Sequence, residues 1–151
     1  LIETACPVSV SAPEQIAGKA VLVIEDGPTL THGEMGFGAG TVAARQHAAR
    51  SIVDPRPYAV GSIAETFRRF PHLGPVLPAM GYGEAQMQEL RATIERTPCD
   101  LVLVATPVDL ARLLNLSRPT LRVSYEIEER SRPGLRDVLF SFTHEHRAAV
   151  A

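Results

Sequence analysis

The sequence predicts an α/β protein: a three-layer, open, mostly parallel sheet of Rossmann or flavodoxin-like type with helices on both faces. Three observations predict it. Two apolar runs, Ala20–Ile24 and Leu101–Ala105, lack the alternation of a half-exposed strand, so each is expected to be covered on both faces, as in a parallel sheet. Each run is followed by turn chemistry and then by a helical pattern. Strands and helices alternate about five times along the chain, the order that βαβ units with right-handed crossovers produce.

The elements follow in order. Residues 1–18 carry Pro7 and Pro13 and read as a lead-in segment or linker with a short strand near Val8–Val10, and residues 19–151 as a single domain. The run Ala20–Ile24 meets the turn signal Glu25-Asp26-Gly27-Pro28. Gly33, Gly36, Gly38 and Gly40 then precede an Ala-rich helix over Thr41–Arg50. Ser51–Val53 is a second short strand, stopped by Asp54-Pro55-Arg56-Pro57 because proline cannot donate to a central ladder. Ser62-Ile63-Ala64-Glu65 is a capping box, and Ile63, Phe67 and Phe70 recur at helical spacing over 62–70. Pro75–Met80 is a candidate third strand, and Gly83-Glu84 opens a helix with Met87, Leu90 and Ile94 on one face. After Leu101–Ala105, the stretch Thr106-Pro107-Val108-Asp109 supplies a cap, a proline and an acid for a helix reaching about Leu114. Thr120–Glu126 alternates, as an edge strand would. Leu135, Val138, Leu139 and Phe142 mark a last amphipathic helix, with Thr143–Ala151 as an unpatterned tail.

Composition excludes several classes. Of the 151 residues 45% are apolar and 21% charged, which is globular composition and not that of a disordered chain. Fifteen basic and 17 acidic residues leave a net charge of −2, so no strong field exists to collect nucleic acid or an anionic membrane. No apolar run approaches the length of a membrane span. Cys6 and Cys99 lie far apart with no C-x-x-C, against a disulfide framework or zinc site, and a cytoplasmic location is expected. Fourteen basic residues are Arg and one is Lys19. Arg forks suit an anionic small ligand as well as ordinary surface ion pairs. A chain that opens on Leu1 is expected to be a piece of a larger protein.

The polar and glycine-rich residues cluster after the strands, where open parallel sheets bind ligands. The first loop, Glu25 to Gly40, gathers Asp26, Thr29, Thr31, His32, Gly33 and Glu34. Gly-rich backbone ahead of a helix presents N–H groups to a phosphate, and carboxylates there suit Mg²⁺, a hard ion that prefers oxygen. A plain turn and helix start explains the same residues. In the second loop Arg56, held between Pro55 and Pro57, is a candidate anion clamp or the partner of Asp54 in a rigid turn. Gly61 and Ser62 offer a second anion seat, and Tyr82, between Gly81 and Gly83, could lie against a ligand or merely mark close packing. Capping accounts for Thr106–Asp109, and Arg118 and Arg122 read as surface charges. His47 and His72 read as structural or solvated, and His144 and His146 sit in the tail. No G-x-x-x-x-G-K-[ST] occurs, so this chain cannot form a Walker A cradle by itself, and no nucleophile elbow is present.

Four phrases carry a resemblance: Val21–Gly33, Ile52–Ser62, Gly74–Gly83 and Cys99–Leu110. Over about residues 7–130 the chain resembles the cyclic 2,3-diphosphoglycerate synthetase family, whose relatives are described as predicted P-loop GTPases. The resemblance implies a C-terminal region, preceded by a Rossmann-like region and a P-loop nucleotide domain. It implies a parent that uses ATP or GTP with Mg²⁺, as a ligase or cyclase closing a phosphoanhydride on a phosphorylated small molecule, or as a GTPase.

The leading expectation is therefore a C-terminal domain of an NTP-dependent P-loop enzyme that helps bind the phosphorylated substrate and faces the nucleotide-binding domain of the same polypeptide. His32, Asp26 and Glu34 are the expected catalytic groups, with Asp26 and Glu34 as Mg²⁺ candidates. Thr29, Thr31, Gly33, Arg56, Ser62 and Tyr82 are expected around the phosphate. The rivals are a self-sufficient small enzyme or ligand-binding domain of flavodoxin-like shape, and a non-catalytic interaction module. A homo-oligomer is left open.

Overall fold

A computed structural model describes residues 1–81 and 83–148, without the side chains of 144–148. The chain forms two compact units, Val8–Ser124 and a smaller one of Leu1–Pro7 with the segment from Tyr125 onward.

The larger unit carries a six-stranded sheet. Its strands are β2 (Val8–Val10), β3 (Ala20–Asp26), β4 (Ser51–Ile52), β5 (Leu77–Ala79), β6 (Leu101–Ala105) and β7 (Thr120–Tyr125). They lie in the order β2-β7-β6-β3-β4, with β5 also paired to β3. β3 is parallel to β4 at its start, to β5 at its end and to β6 along its length. The helices α1 (Gly27–His32), α2 (Ala39–Gln46), α3 (Gly61–Arg69), α4 (Glu84–Arg96) and α5 (Leu110–Leu114) flank this sheet in the expected three-layer arrangement.

Burial follows the apolar runs. Val21–Ile24 and Leu101–Val104 are almost wholly buried, as strands covered on both faces must be. Each such side chain contributes about 1.5–3 kcal/mol on leaving water. The second layer comes from Ile63 and Phe67 of α3, Leu90 and Ile94 of α4, and Leu110 and Leu114 of α5. The expected edge strand Thr120–Glu126 is instead internal, because β2 lies alongside β7. Ser11 N–H donates to the Arg122 carbonyl at 3.2 Å there.

α2 lies against β2, β3 and β6. The approach is close enough that a Cβ at Gly40 would stand 2.6 Å from Val23 Cγ1 and 3.1 Å from Ala105 Cβ. The turn expected at Glu25–Pro28 is resolved differently. β3 runs on to Asp26 and α1 starts at once, with Pro28 in its first turn, where its missing N–H costs nothing.

The smaller unit holds the antiparallel pair β1 (Thr4–Ala5) and β8 (Glu128–Glu129), and α6 (Leu135–Ala148). Arg130 N–H donates to the Glu3 carbonyl, and Glu3 N–H to Ser131 Oγ. Asp137 accepts from Gly134 N–H at 2.9 Å, fixing the helix start. α6 continues to Ala148, so residues 143–148 are helical and not an unpatterned tail; 149–151 lie outside the described residues. Every buried hydrophobic side chain among the described residues belongs to the larger unit. Leu135, Val138 and Leu139 of α6 are 53%, 44% and 53% exposed.

Gly40→Ala tests the fit of α2 on the sheet. Overpacking at this contact is expected to cost about 1–3 kcal/mol, read as a thermal midpoint several degrees lower. An unchanged midpoint would mean that α2 has room to move.

Candidate functional site

In the sheet, β4 and β5 lie on one side of β3 and β6 on the other. Open α/β sheets bind ligands where the strand order reverses, beyond the carboxyl ends of the strands. Here that point lies beyond Asp26 and Ala105, at the start of α2.

Glu25 occupies it. The side chain is buried at 2% exposure, one residue before the end of β3. Its Oε1 accepts from Gly38 N–H at 3.0 Å, Thr41 N–H at 2.9 Å and Thr41 Oγ1 at 3.2 Å, and its Oε2 from Gly40 N–H at 3.3 Å. These are the N–H groups that a glycine-rich helix start would offer to a phosphate. The protein's own carboxylate takes them. Burial pushes the Glu25 carboxyl above its ordinary range, against the lowering effect of the Thr41, Gly40 and Gly38 N–H groups. The sequence reading passed over Glu25 in favour of Asp26 and Glu34. A charged residue continuing an apolar strand, with glycines thirteen and fifteen positions on, was the available signal.

The other first-loop residues serve α1. Asp26 caps it, its Oδ2 accepting from Thr29 N–H at 3.2 Å and Thr29 Oγ1 at 2.7 Å. Thr31 is buried and donates its hydroxyl to the Gly27 carbonyl at 3.0 Å. Its oxygen also lies 3.2 Å from His32 Nδ1. With the hydroxyl proton used on Gly27, Nδ1 of the exposed His32 is the donor in that contact. Gly33 N–H closes the helix on the Thr29 carbonyl at 3.1 Å, and Glu34 follows, exposed, in the left-handed region at φ 52°.

Arg56 is held by its neighbours. It donates to Asp54 Oδ2 at 2.8 Å and to the Leu73 carbonyl, and its guanidinium lies 5.2 Å above the Phe67 ring. This is the rigid turn with an Asp54 partner. The segment around Leu73 also meets the first loop, since Gly74 N–H donates to the Gly36 carbonyl at 2.7 Å. Ser62 gives both its N–H and its hydroxyl to Glu89 Oε2. Gly61 sits at φ 53°, with the Glu89 carboxylate where a side chain would be. The start of α3 is thus also filled by a protein carboxylate. Tyr82 lies outside the described residues.

The rim carries two cavities of different size. A crevice of about 10 Å³ lies between Ser62, Ile63, Pro78, Met80, Gly81, Gln86 and Leu90, near the volume of one water probe. A cavity of about 190 Å³ lies beyond β6, lined by Ser11, Val104, Val108, Asp109, Ala111, Thr120 and Arg122. Neither is lined by His32 or Arg56. The cap of α5 is Asp109, accepting from Arg112 N–H at 3.2 Å, and not the expected Thr106, whose hydroxyl donates to the Val108 carbonyl at 3.0 Å. The reading of Arg122 as a plain surface charge missed its place in the cavity wall, which depends on β7 lying beside β6. Among the described residues no group of three or more His, Cys, Asp or Glu side chains is arranged to hold a metal ion. Asp26 Oδ2 is engaged with Thr29. Burial pushes the Cys99 thiol up, against nucleophilic use at neutral pH.

Fold and rim together define a doubly wound α/β domain with its polar residues at the carboxyl ends of the strands. No protein-family profile and no solved structure matches the chain. It is 58% identical, over 139 residues, to the arginine synthetase ArcE of Thermococcus kodakarensis. The match covers 92% of this chain and 31% of that protein, so the chain spans about a third of the length of the curated relative it matches.

Two substitutions test the Glu25 hub. Glu25→Ala leaves three backbone N–H groups unpaired and is expected to cost more than about 2 kcal/mol in chemical denaturation. The pH response has a definite sign. The folded-state value lies above the ordinary 4.5, so Glu25's contribution is full below that value and is lost as pH rises through the raised one. The stability of the wild type relative to Glu25→Gln should fall as pH rises above the ordinary 4.5. A gap that widens with pH would contradict the burial argument.

Proposed function

We propose that this chain is one domain of a larger NTP-dependent synthetase, to which it contributes a substrate-facing rim while another part of the polypeptide holds the nucleotide. The observation that carries the reading is the 58% identity to ArcE over nearly the whole chain, within a relative about three times as long. The missing Walker A pattern agrees with it, because ATP or GTP with its Mg²⁺ then has to be held elsewhere. The relative's name favours arginine over a cyclic bisphosphoglycerate as the product. A phosphorylated small molecule in the rim stays compatible with a synthetase that spends a nucleotide.

Within the rim, His32 is the residue best placed to move a proton. Its Nδ1 is tied to Thr31, its ring is exposed, and α1 is anchored to the end of β3 through Asp26. Arg56 and Ser62 act on this reading as positioning residues, since Asp54 and Glu89 already hold them.

A partner domain is supported by the smaller unit. Among the described residues it contributes no buried hydrophobic side chain, yet α6 exposes Leu135, Val138 and Leu139 at helical spacing. Such a stripe needs apolar cover. The nucleotide-binding domain of the same polypeptide is the occupant we favour.

The test uses the full-length polypeptide. His32→Ala is expected to lower kcat of nucleotide-dependent synthesis about 100-fold or more with the fold intact, the scale of a lost general acid or base. Arg56→Ala should mainly lower the thermal midpoint. The chain alone should show no calorimetric binding of ATP or GTP. Full turnover in His32→Ala, or tight nucleotide binding by the chain alone, would overturn the reading.

A further inference from the structure

The cavity beyond β6 has a feature that capping and surface charge do not explain. Its apolar wall is Val104, Val108 and Ala111, and its polar wall includes Asp109, Thr120 and Arg122. Register fixes the cation, because Arg122 of β7 stands beside Val104 of β6. The Arg122 side chain is steadied by one bond, Nη2 to the Pro107 carbonyl at 3.0 Å. Its other N–H groups have no protein partner among the described residues. Asp109 spends Oδ1 on the Arg112 N–H, and its Oδ2 has no partner among the described residues. The two charges share one cavity, yet no ion pair joins them.

Opposite charges held in the same wall and kept apart suit a ligand that carries both signs. The volume, about 190 Å³, limits the ligand to a small metabolite. We infer that this cavity seats a zwitterionic α-amino acid. The Arg122 fork takes the carboxylate, Asp109 takes the ammonium group, and the aliphatic part lies on Val104, Val108 and Ala111. The inference deepens the synthetase reading by naming the class of its substrate or product, and it rests on that reading for the choice of arginine as probe.

The experiment is an amide-resolved NMR titration of the intact chain with L-arginine. Shifts are expected at the Val104, Val108 and Ala111 amides, saturating in the millimolar range or below. Arg122→Gln and Asp109→Asn should each weaken binding tenfold or more. Asn preserves the α5 cap, so the thermal midpoint of Asp109→Asn should stay unchanged and separate lost binding from lost folding. Agmatine, which lacks the carboxylate, should bind the wild type more weakly and be indifferent to Arg122→Gln. No shifts at 20 mM L-arginine, unchanged affinity in both variants, or shifts at these amides with inorganic phosphate alone would each overturn the inference. If it fails while His32→Ala still stops turnover in the full-length polypeptide, the synthetase reading stands without this seat. L-arginine binding here with normal turnover in His32→Ala would separate them the other way.

Discussion

The Glu25 carboxylate is the contact around which the larger unit is organised. It leaves the sheet at the point where the strand order reverses, and it takes N–H groups of Gly38, Gly40 and Thr41. One side chain thereby joins the central strand, the glycine-rich loop and the start of α2. The close seat of Gly40 on Val23 and Ala105 is the steric half of the same junction. A buried carboxyl with four donors is costly to desolvate, and here the donors offset that cost only in part, which is why its proton is held above the ordinary range.

The same device recurs. Glu89 fills the start of α3, Asp26 caps α1 and Asp109 caps α5. Helix starts that open α/β proteins often turn toward phosphates are here satisfied by side chains from within the chain. This moves the functional question from backbone N–H groups to side chains. His32, with Nδ1 beside Thr31, and Arg122, with Nη2 on the Pro107 carbonyl, are the side chains we propose to act on a ligand.

Much of the fold was legible because it depends on composition over short windows. The unbroken runs at 20–24 and 101–105 marked the buried strands, and Ile63 with Phe67, and Leu90 with Ile94, marked the helix faces. What stayed hidden depends on contacts between distant segments. The inner place of β7 requires β2, more than a hundred positions earlier. Glu25 looked like one carboxylate among three until the loop folded back over it. At the site, the start of a helix after Thr106 could be read from local sequence, although its cap is Asp109 and not Thr106. The engagement of Ser62 by Glu89, and the cavity at Arg122, could not, since sequence spacing says nothing of which helices and strands become neighbours.

The pairing of β3 carries a further consequence, for assembly. This strand meets β4 at Ala20–Val21, β5 at Ile24–Asp26 and β6 from Val21 onward, where Val21 stands opposite Leu101. Its second flank is therefore supplied about 80 residues after it has been made. At a synthesis rate of about 5–20 residues per second, that interval is about 4–16 s. Throughout it the central strand, whose Val21–Ile24 are fully buried in the finished fold, has an open side on the ribosome. Long-range parallel pairing of this kind is intrinsically slow and leaves an unpaired strand edge exposed until the partner strand arrives.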